Sequence, residues 1–305
     1  MRRFGLLGAF TGSFALLGTF GCTATVVEAS PDGGPTTTTQ ALVVFERTER
    51  EGKAAQTNIS AKFLRAPVAT EPETVESIIG SELDLPSPGE CLVVNDADSV
   101  AGDPVAGPVE LFDVGDVTIR TTTSAIPLAA RAFPDVGDRV SGVFYTSPDT
   151  ESDLPAPGKY VLEGSGSLAV DPFTIDTDAP PAPAEVTVGG RLLAEGIELN
   201  EGETIDIGWR APTPAGEASK DDVAYVEIVA ENGVAARCAF DDRGRGSIPA
   251  SLLREAGFGP LPVAATLAVH RVRQGNFHVS GIDLGEVRFD MSVVTAVTLR
   301  GARRF

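Results

Sequence analysis

The sequence predicts an all-β protein built as two β-sandwich domains in tandem, the second carrying a short crossover helix. Three observations predict it. The residue usage is rich in Val, Thr, Gly (33) and Pro (22) and poor in Lys. Short apolar or alternating runs are separated by clusters of Pro, Gly, Asp and Ser, which favour turns for specific backbone reasons. No long stretch repeats with helical period. Strands at this spacing, with turn signals between them, argue for sandwiches.

Residues 1–22 stand apart. Arg2 and Arg3 form a basic start, Phe4 to Phe20 is uncharged and largely apolar, and the run stops at Gly21-Cys22. This is the form of an export signal. Residues 23–40, with Ser30-Pro31-Asp32-Gly33-Gly34-Pro35 and Thr36 to Thr39, read as a tether, because they have little to bury against the entropy of ordering.

Residues 41–175 read as the first domain. Ala41–Arg47, Asn58–Leu64, Cys91–Asn95, Val109–Phe112 and Val117–Thr121 are strand-like. Ile126–Phe133, Arg139–Tyr145, Lys159–Leu162 and Leu168–Ile175 continue the pattern. Glu71–Gly80 has the spacing of a two-turn helix, with Val75, Ile78 and Ile79 on one face and Gly80 as its stop. Asp176–Ala184 is the boundary, since Pro180, Pro181 and Pro183 favour an extended, semi-rigid spacer.

Residues 185–305 read as the second domain. Glu185–Val188 and Ile197–Leu199 are brief strands, and Thr204–Trp209 alternates with Ile205, Ile207 and Trp209 on one side. Asp222–Ala230 has apolar residues on both faces. Asn232-Gly233 marks a hairpin, since that pair accepts positive φ, and Val234–Phe240 returns. Pro249 and Gly257 bracket a helix with Leu252, Leu253 and Ala256 as its stripe. Val263–Arg273 and Val287–Leu299 are the longest strands, with a turn expected at Gln274-Gly275-Asn276.

Charge and cysteines narrow the function. The formal charge is −19, and removing residues 1–22, which hold two arginines and no acid, takes it to −21. Such a field repels nucleic acid. Cys91 and Cys238 are a candidate disulfide if Cys22 is otherwise used, the alternative being two separate buried thiols.

Candidate chemistry is sparse. His270 and His278, the two histidines, are expected on strands flanking the turn at 274–276, with no carboxylate or cysteine nearby to complete a metal set. Asp96/Asp98/Asp103, Asp176/Asp178, Asp221/Asp222 and Asp241/Asp242 are acidic pairs or clusters suited to turns. Asp176 and Asp178, at the boundary, are the weak calcium candidates. Gly164-Ser165-Gly166-Ser167 lacks the order of a nucleophile elbow. Trp209, Tyr145, Tyr160 and Tyr225 are the aromatic candidates for ligand contact, with Trp209 better placed in a core. No catalytic residue, metal or cofactor is expected.

Gly21-Cys22 after an apolar run resembles the signal peptide of bacterial lipoproteins, although Thr19 and Phe20 depart from the family pattern. The resemblance implies lipidation of Cys22, and the absence of Asp after it favours the outer membrane. The alternatives are an ordinary secretory signal and an uncleaved anchor. Ile205–Pro212 resembles the Trp-bearing core strand of immunoglobulin-like and fibronectin-III-like domains. Together with Cys238, Asp241–Gly244 and Ser247–Leu253, the layout resembles uncharacterised, myxobacteria-like outer-membrane lipoproteins. That resemblance implies a surface protein of unknown function. The export signal, the β architecture and the lack of catalytic motifs point to an envelope protein facing periplasm or exterior, with a structural, adhesive or binding role and an unknown protein or glycan partner. The alternative is a carbohydrate-binding accessory module of a secreted hydrolase system, which requires exposed aromatics.

Overall fold

The computed structural model describes residues 36–70, 72–80, 83–94, 107–133, 140–147, 154, 158–193, 196–212 and 222–301. Strand β1 (Thr37–Arg50) and β2 (Gln56–Pro67) form a hairpin, followed by α1 (Pro72–Ile78), β3 (Cys91–Val94) and β4 (Val109–Leu111). Next come β5 (Val117–Arg120), β6 (Ala125–Pro127), β7 (Ala129–Phe133), β8 (Val140–Thr146), β9 (Gly158–Gly164) and β10 (Phe173–Ala179). The remainder comprises β11 (Thr187–Val188), β12 (Arg191–Leu192), β13 (Ile197–Asn200), β14 (Ile205–Gly208), β15 (Val223–Ala230), β16 (Ala235–Asp241) and β17 (Arg245–Ile248). Helix α2 (Leu252–Glu255) then leads into β18 (Val263–Val279) and β19 (Ile282–Arg300).

The fold is all-β. One eleven-stranded sheet runs β3-β16-β15-β18-β19-β1-β2-β4-β8-β7, with β13 also paired to β19. Two four-stranded sheets, β10-β9-β5-β6 and β12-β11-β14-β17, supply the opposing layers. The first opposing sheet closes a core with Phe45, Phe63, Tyr145, Tyr160, Phe173 and Phe289. The second closes a core with Ile207, Trp209, Val226, Cys238, Leu267 and Leu299.

The long strands serve both cores. Along β19, β1 pairs in parallel from Gln40↔Leu284 to Arg50↔Val294, and β13 takes over from Ile197↔Val297 to Asn200↔Arg300. The sheet is therefore continuous across the boundary expected at 176–184. That boundary segment is packed in: Ala179 closes β10, and Pro180 and Pro183 are buried. Arg271, fully buried on β18, donates to the carbonyls of Pro181 (2.8 Å), Ala182 (3.4 Å) and Arg210 (3.1 Å). Its Nε lies 2.5 Å from Asp242 Oδ2, and Asp242 Oδ1 also accepts the Trp209 indole N–H at 2.6 Å. Arg273, two residues on and on the same face, forks onto Asp222 with two 2.7 Å bonds and donates to the Asp178 carbonyl.

Several local expectations shift for physical reasons. β1 begins at Thr37, inside the stretch read as tether, because Thr37–Gln40 pair with Pro67–Leu64 and Asp283 accepts from the Thr39 amide and hydroxyl. The turn expected at 274–276 is absent. β18 runs straight through it and turns at Ser280-Gly281, where Gly281 takes φ 86°. The run 126–133 divides after Pro127: β6 joins one sheet and β7 the other, with Leu128 buried at the switch. The second helix is a single turn, since Arg245–Ile248 is claimed by pairing with β14. The Asn232-Gly233 hairpin forms as expected, with Gly233 at φ 85°.

Cys91 and Cys238 are bonded, as a directly opposed pair on β3 and β16 with Cα atoms 4.0 Å apart. The chain leaves the first core after β2, crosses the sheet's outer face, is bonded at its far edge and returns as β4 beside β2.

Two outcomes follow. Arg271→Met should destabilise by about 3–5 kcal/mol, because Asp242 is left buried without its cation, and adding Asp242→Leu should recover part of it; urea unfolding measures both. Cys91→Ala/Cys238→Ala should lose up to about 5 kcal/mol for a crosslink spanning 147 residues, read as a lower denaturation midpoint with the fold retained.

Candidate functional site

The outer face of the large sheet would meet water in a plain sandwich. Here its even-numbered positions on β19 read Leu284, Glu286, Arg288, Asp290 and Ser292, while Val287, Phe289 and Met291 point into the core. Period two makes this division unavoidable once the inner face is apolar. The segment between β2 and β3 lies over this polar row, with α1 at one end and residues 83–90 at the other.

Under residues 83–90, Leu83 and Leu85 pack on Tyr225, Ala239 and Val272. Arg237 donates to the Asp84 carbonyl, the Gly89 amide donates to the Ala239 carbonyl, and the Ala239 amide donates to the Glu90 carbonyl. Beside them His270 stacks on Tyr225, ring centroids 4.1 Å apart. His270 Nδ1 is 2.7 Å from Asp290 Oδ1, and the Tyr225 hydroxyl donates to Asp290 Oδ2 at 2.9 Å. Burial opposes charge on Asp290, yet His270, Tyr225 and Arg237 together hold its carboxyl below the usual carboxylate range. Burial, then Asp290, pushes the Tyr225 phenol up. His270 Nε2 is buried and has no hydrogen-bond partner among the described residues. A general base must reach the proton it takes, and this ring nitrogen is buried.

The second feature is a cleft of about 240 Å³ under α1. Leu42 and Leu64 form its floor, Val75 and Ile79 its roof, and half-exposed Leu284 its mouth. Helix α1 is held down by these same apolar contacts, and the buried ammonium of Lys62 donates to the Ile79 carbonyl at 2.8 Å. Burial lowers the Lys62 pKa, and Glu46 opposes that shift. On the rim, Arg288 bridges Glu76 (2.7 Å) and Glu286 (2.8 Å). Burial disfavours the guanidinium charge, and the two carboxylates more than offset it, so its pKa is raised. Gln274 also donates to Glu286, at 3.3 Å. Gln40, Asn276 and His278 complete the polar edge.

The structure separates most residues singled out in the sequence. His270 and His278 lie on one strand, eight residues apart on the same face, one covered and one exposed, not across a turn from each other. Contrary to expectation, His270 does have a carboxylate beside it, Asp290. Asp176 and Asp178 are exposed on β10, with Lys159 Nζ 4.0 Å from Asp178, and they converge with no third carboxylate, histidine or cysteine among the described residues. Asp222 and Asp242 anchor arginines, and Asp241 pairs with Arg243. Ser165 accepts the Asp116 amide, tying two loops, and β10 follows. Cys22, Asp96, Asp98, Asp103 and Asp221 lie outside the described residues.

Trp209, Tyr145, Tyr160 and Tyr225 are all buried, at 6%, 1%, 2% and 3% exposure. The exposed large apolar side chains among the described residues are Val68, Leu168, Leu192 and Leu284, none aromatic. The carbohydrate-binding alternative requires exposed aromatics, and each of these four is committed to a core or to the Asp290 network.

Glu76, Glu286, Arg288 and Leu284 were not singled out as site residues in the sequence. Their signal was present as the charged alternation from Glu286 to Asp290, but the covering helix that turns it into a cleft is distant in sequence.

No family model matches the chain, and no curated protein does. Among solved structures, the chicken CNTN1 FN1–FN3 domains match at 10% identity and TM-score 0.21, covering 82% of this chain. This chain spans 64% of that structure's length. DIP-gamma IG1+IG2 matches at 7% identity and TM-score 0.19, covering 88% of this chain and 99% of that one. A structure of Dpr2 Ig1-Ig2 in complex with DIP-Theta Ig1-Ig3 matches at 8% identity and TM-score 0.16, covering 83% and 94%.

Asp290→Asn should destabilise by about 2 kcal/mol at neutral pH, the scale of hydrogen bonds to a charged group. Because the folded carboxyl titrates below its unfolded value, its contribution is present above about pH 4 and is lost as pH falls through the depressed value. Thermal melts of wild type and variant should therefore converge as pH falls through the depressed value.

Proposed function

We propose that this chain is an exported envelope protein, lipid-anchored through Cys22, with a non-enzymatic binding or adhesive role toward a protein or small-molecule partner. The observation that carries the reading is the Cys91–Cys238 disulfide. Disulfides persist in oxidising compartments outside the cytoplasm. The bond also takes up two of the three cysteines, which leaves Cys22, directly after the apolar run, for lipid.

Other features support the same reading. The acidic charge disfavours nucleic acid as a partner. Among the described residues no helix is long and apolar enough to cross a membrane, so attachment of the described body by lipid is consistent with its strands being committed to two cores. The second ring nitrogen of the histidine–carboxylate pair, His270 Nε2, is buried, which favours binding over catalysis. The lipoprotein resemblance at residues 1–22 extends the reading to the outer membrane, with the body facing periplasm or exterior.

In cells fed an alkyne fatty acid, the wild-type protein should take up label and fractionate with the envelope, while Cys22→Ser should be unlabelled. Equal labelling of the two would remove the anchor from this reading.

A further inference from the structure

We propose that the cleft under α1 binds a small amphiphilic cation: a primary ammonium group on a short alkyl body. The proposal rests on the binding role given above and names its ligand chemistry.

The apolar part comes first. Leu42 and Leu64 below and Val75 and Ile79 above face a volume of about 240 Å³, roughly that of eight waters in bulk liquid. This is small beside typical drug-sized pockets and suits a short chain. Leu284, half exposed at the mouth, extends the apolar wall outward. An alkyl chain lying there would remove its exposed surface from water.

The charge comes second. Glu76 and Glu286 both reach the rim and both engage Arg288, two carboxylates to one guanidinium. The chain's own charge of −19 adds a field that concentrates cations. An anionic head group would meet those carboxylates instead. An ammonium has three donors and no acceptor, and the rim offers it the Glu76 and Glu286 carboxylates, with Gln40 and Asn276 also in the lining.

Preorganisation comes third. Arg288 fixes the two carboxylates, and Lys62 fixes the end of α1. A Cβ at Gly285 would lie 2.4 Å from the Phe277 ring, so this part of β19 is seated hard on the core. A site whose groups are held before binding loses little ordering entropy when occupied.

The test uses the purified full-length mature protein and three probes of equal chain length: n-octylamine, octanoate and octanol. Calorimetry should show saturable octylamine binding, with octanoate and octanol at least about tenfold weaker. NMR should place the octylamine-induced shifts at Leu284 and His278 and leave Trp209 unmoved. Asn276→Lys, at an exposed position, should weaken octylamine about tenfold with an unchanged melting temperature. Glu286→Gln should weaken it as well. Octanoate binding as tightly as octylamine, shifts centred elsewhere, indifference to Asn276→Lys, or no saturable binding would each overturn the proposal. So would a dimer in sedimentation that Asn276→Lys dissociates, since a second copy would then own the cleft. Fatty-acid labelling at Cys22 is read independently, so loss of the anchor and loss of the ligand are distinguishable.

Discussion

Two adjacent strands, β18 and β19, have to serve two hydrophobic cores at once, and the chain solves the junction with a buried guanidinium. A strand's inner face is apolar where an opposing sheet covers it. Between the two opposing sheets there is no sheet to do so, only the segment 180–184 crossing over. Its carbonyls have no ladder to join, and unpaired buried carbonyls are costly. Arg271 supplies donors to Pro181 and Ala182 from one side and to Arg210 from the other, while Asp242 balances its charge. Prolines bring no amide of their own to this junction, so the demand there is mainly for donors, which is what arginine has. Net stabilisation from such a buried pair is modest. Its stronger effect is on specificity, because few other packings of the junction satisfy five donors.

That junction fixes what happens on the other face. With β18 and β19 held straight through the waist, their outward residues form one long polar row that no single layer covers. The excursion between β2 and β4 covers it in two patches. Helix α1 takes the end over Leu42 and Leu64, and residues 83–90 take the end over Tyr225 and Val272. The polar groups between the patches are satisfied laterally, Asp290 by His270 and Tyr225, Glu76 and Glu286 by Arg288. The cleft is the residue of this arrangement: it lies where the cover begins and the hairpin tip of β18–β19 projects beyond it.

Much of the layered fold was legible because it depends on local alternation. Alternation puts Ile205, Ile207 and Trp209 on one side of a strand, with Trp209 read as core, and all three lie in one core. Asn232-Gly233 gave its hairpin because positive φ selects those residues. The mixed faces of Val223–Ala230 also had meaning: Val226 and Ile228 enter the core, while Tyr225 lies under the strap. What escaped was set by distant partners. Gly275 and Asn276 resemble a turn locally, but partners along β19 keep them extended, and Ser280-Gly281 turns instead. Thr37–Gln40 look too polar to order, yet pairing with β2 along the whole stretch, with β19 from Gln40 on, and the Asp283 carboxylate at Thr39 supply what their side chains do not. The candidate site was least legible, since its floor, roof and rim come from β1, β2, α1, β18 and β19, and no local motif announces such a set.

The disulfide bears on both faces of this argument. A cover made of one short helix and an irregular strap has little intrinsic stability, since a seven-residue helix is marginal alone. It is kept in place by being tied at both ends, at β2 by the chain and at β16 by Cys91–Cys238. Without the far tie α1 keeps its apolar contacts and its Lys62 and Arg288 bonds, while the strap loses its covalent hold on β16. The same bond that argues for an oxidising compartment thus also gives the outer face a shape. The shaped, acidic-rimmed hollow under α1 therefore depends on partners that are distant in sequence.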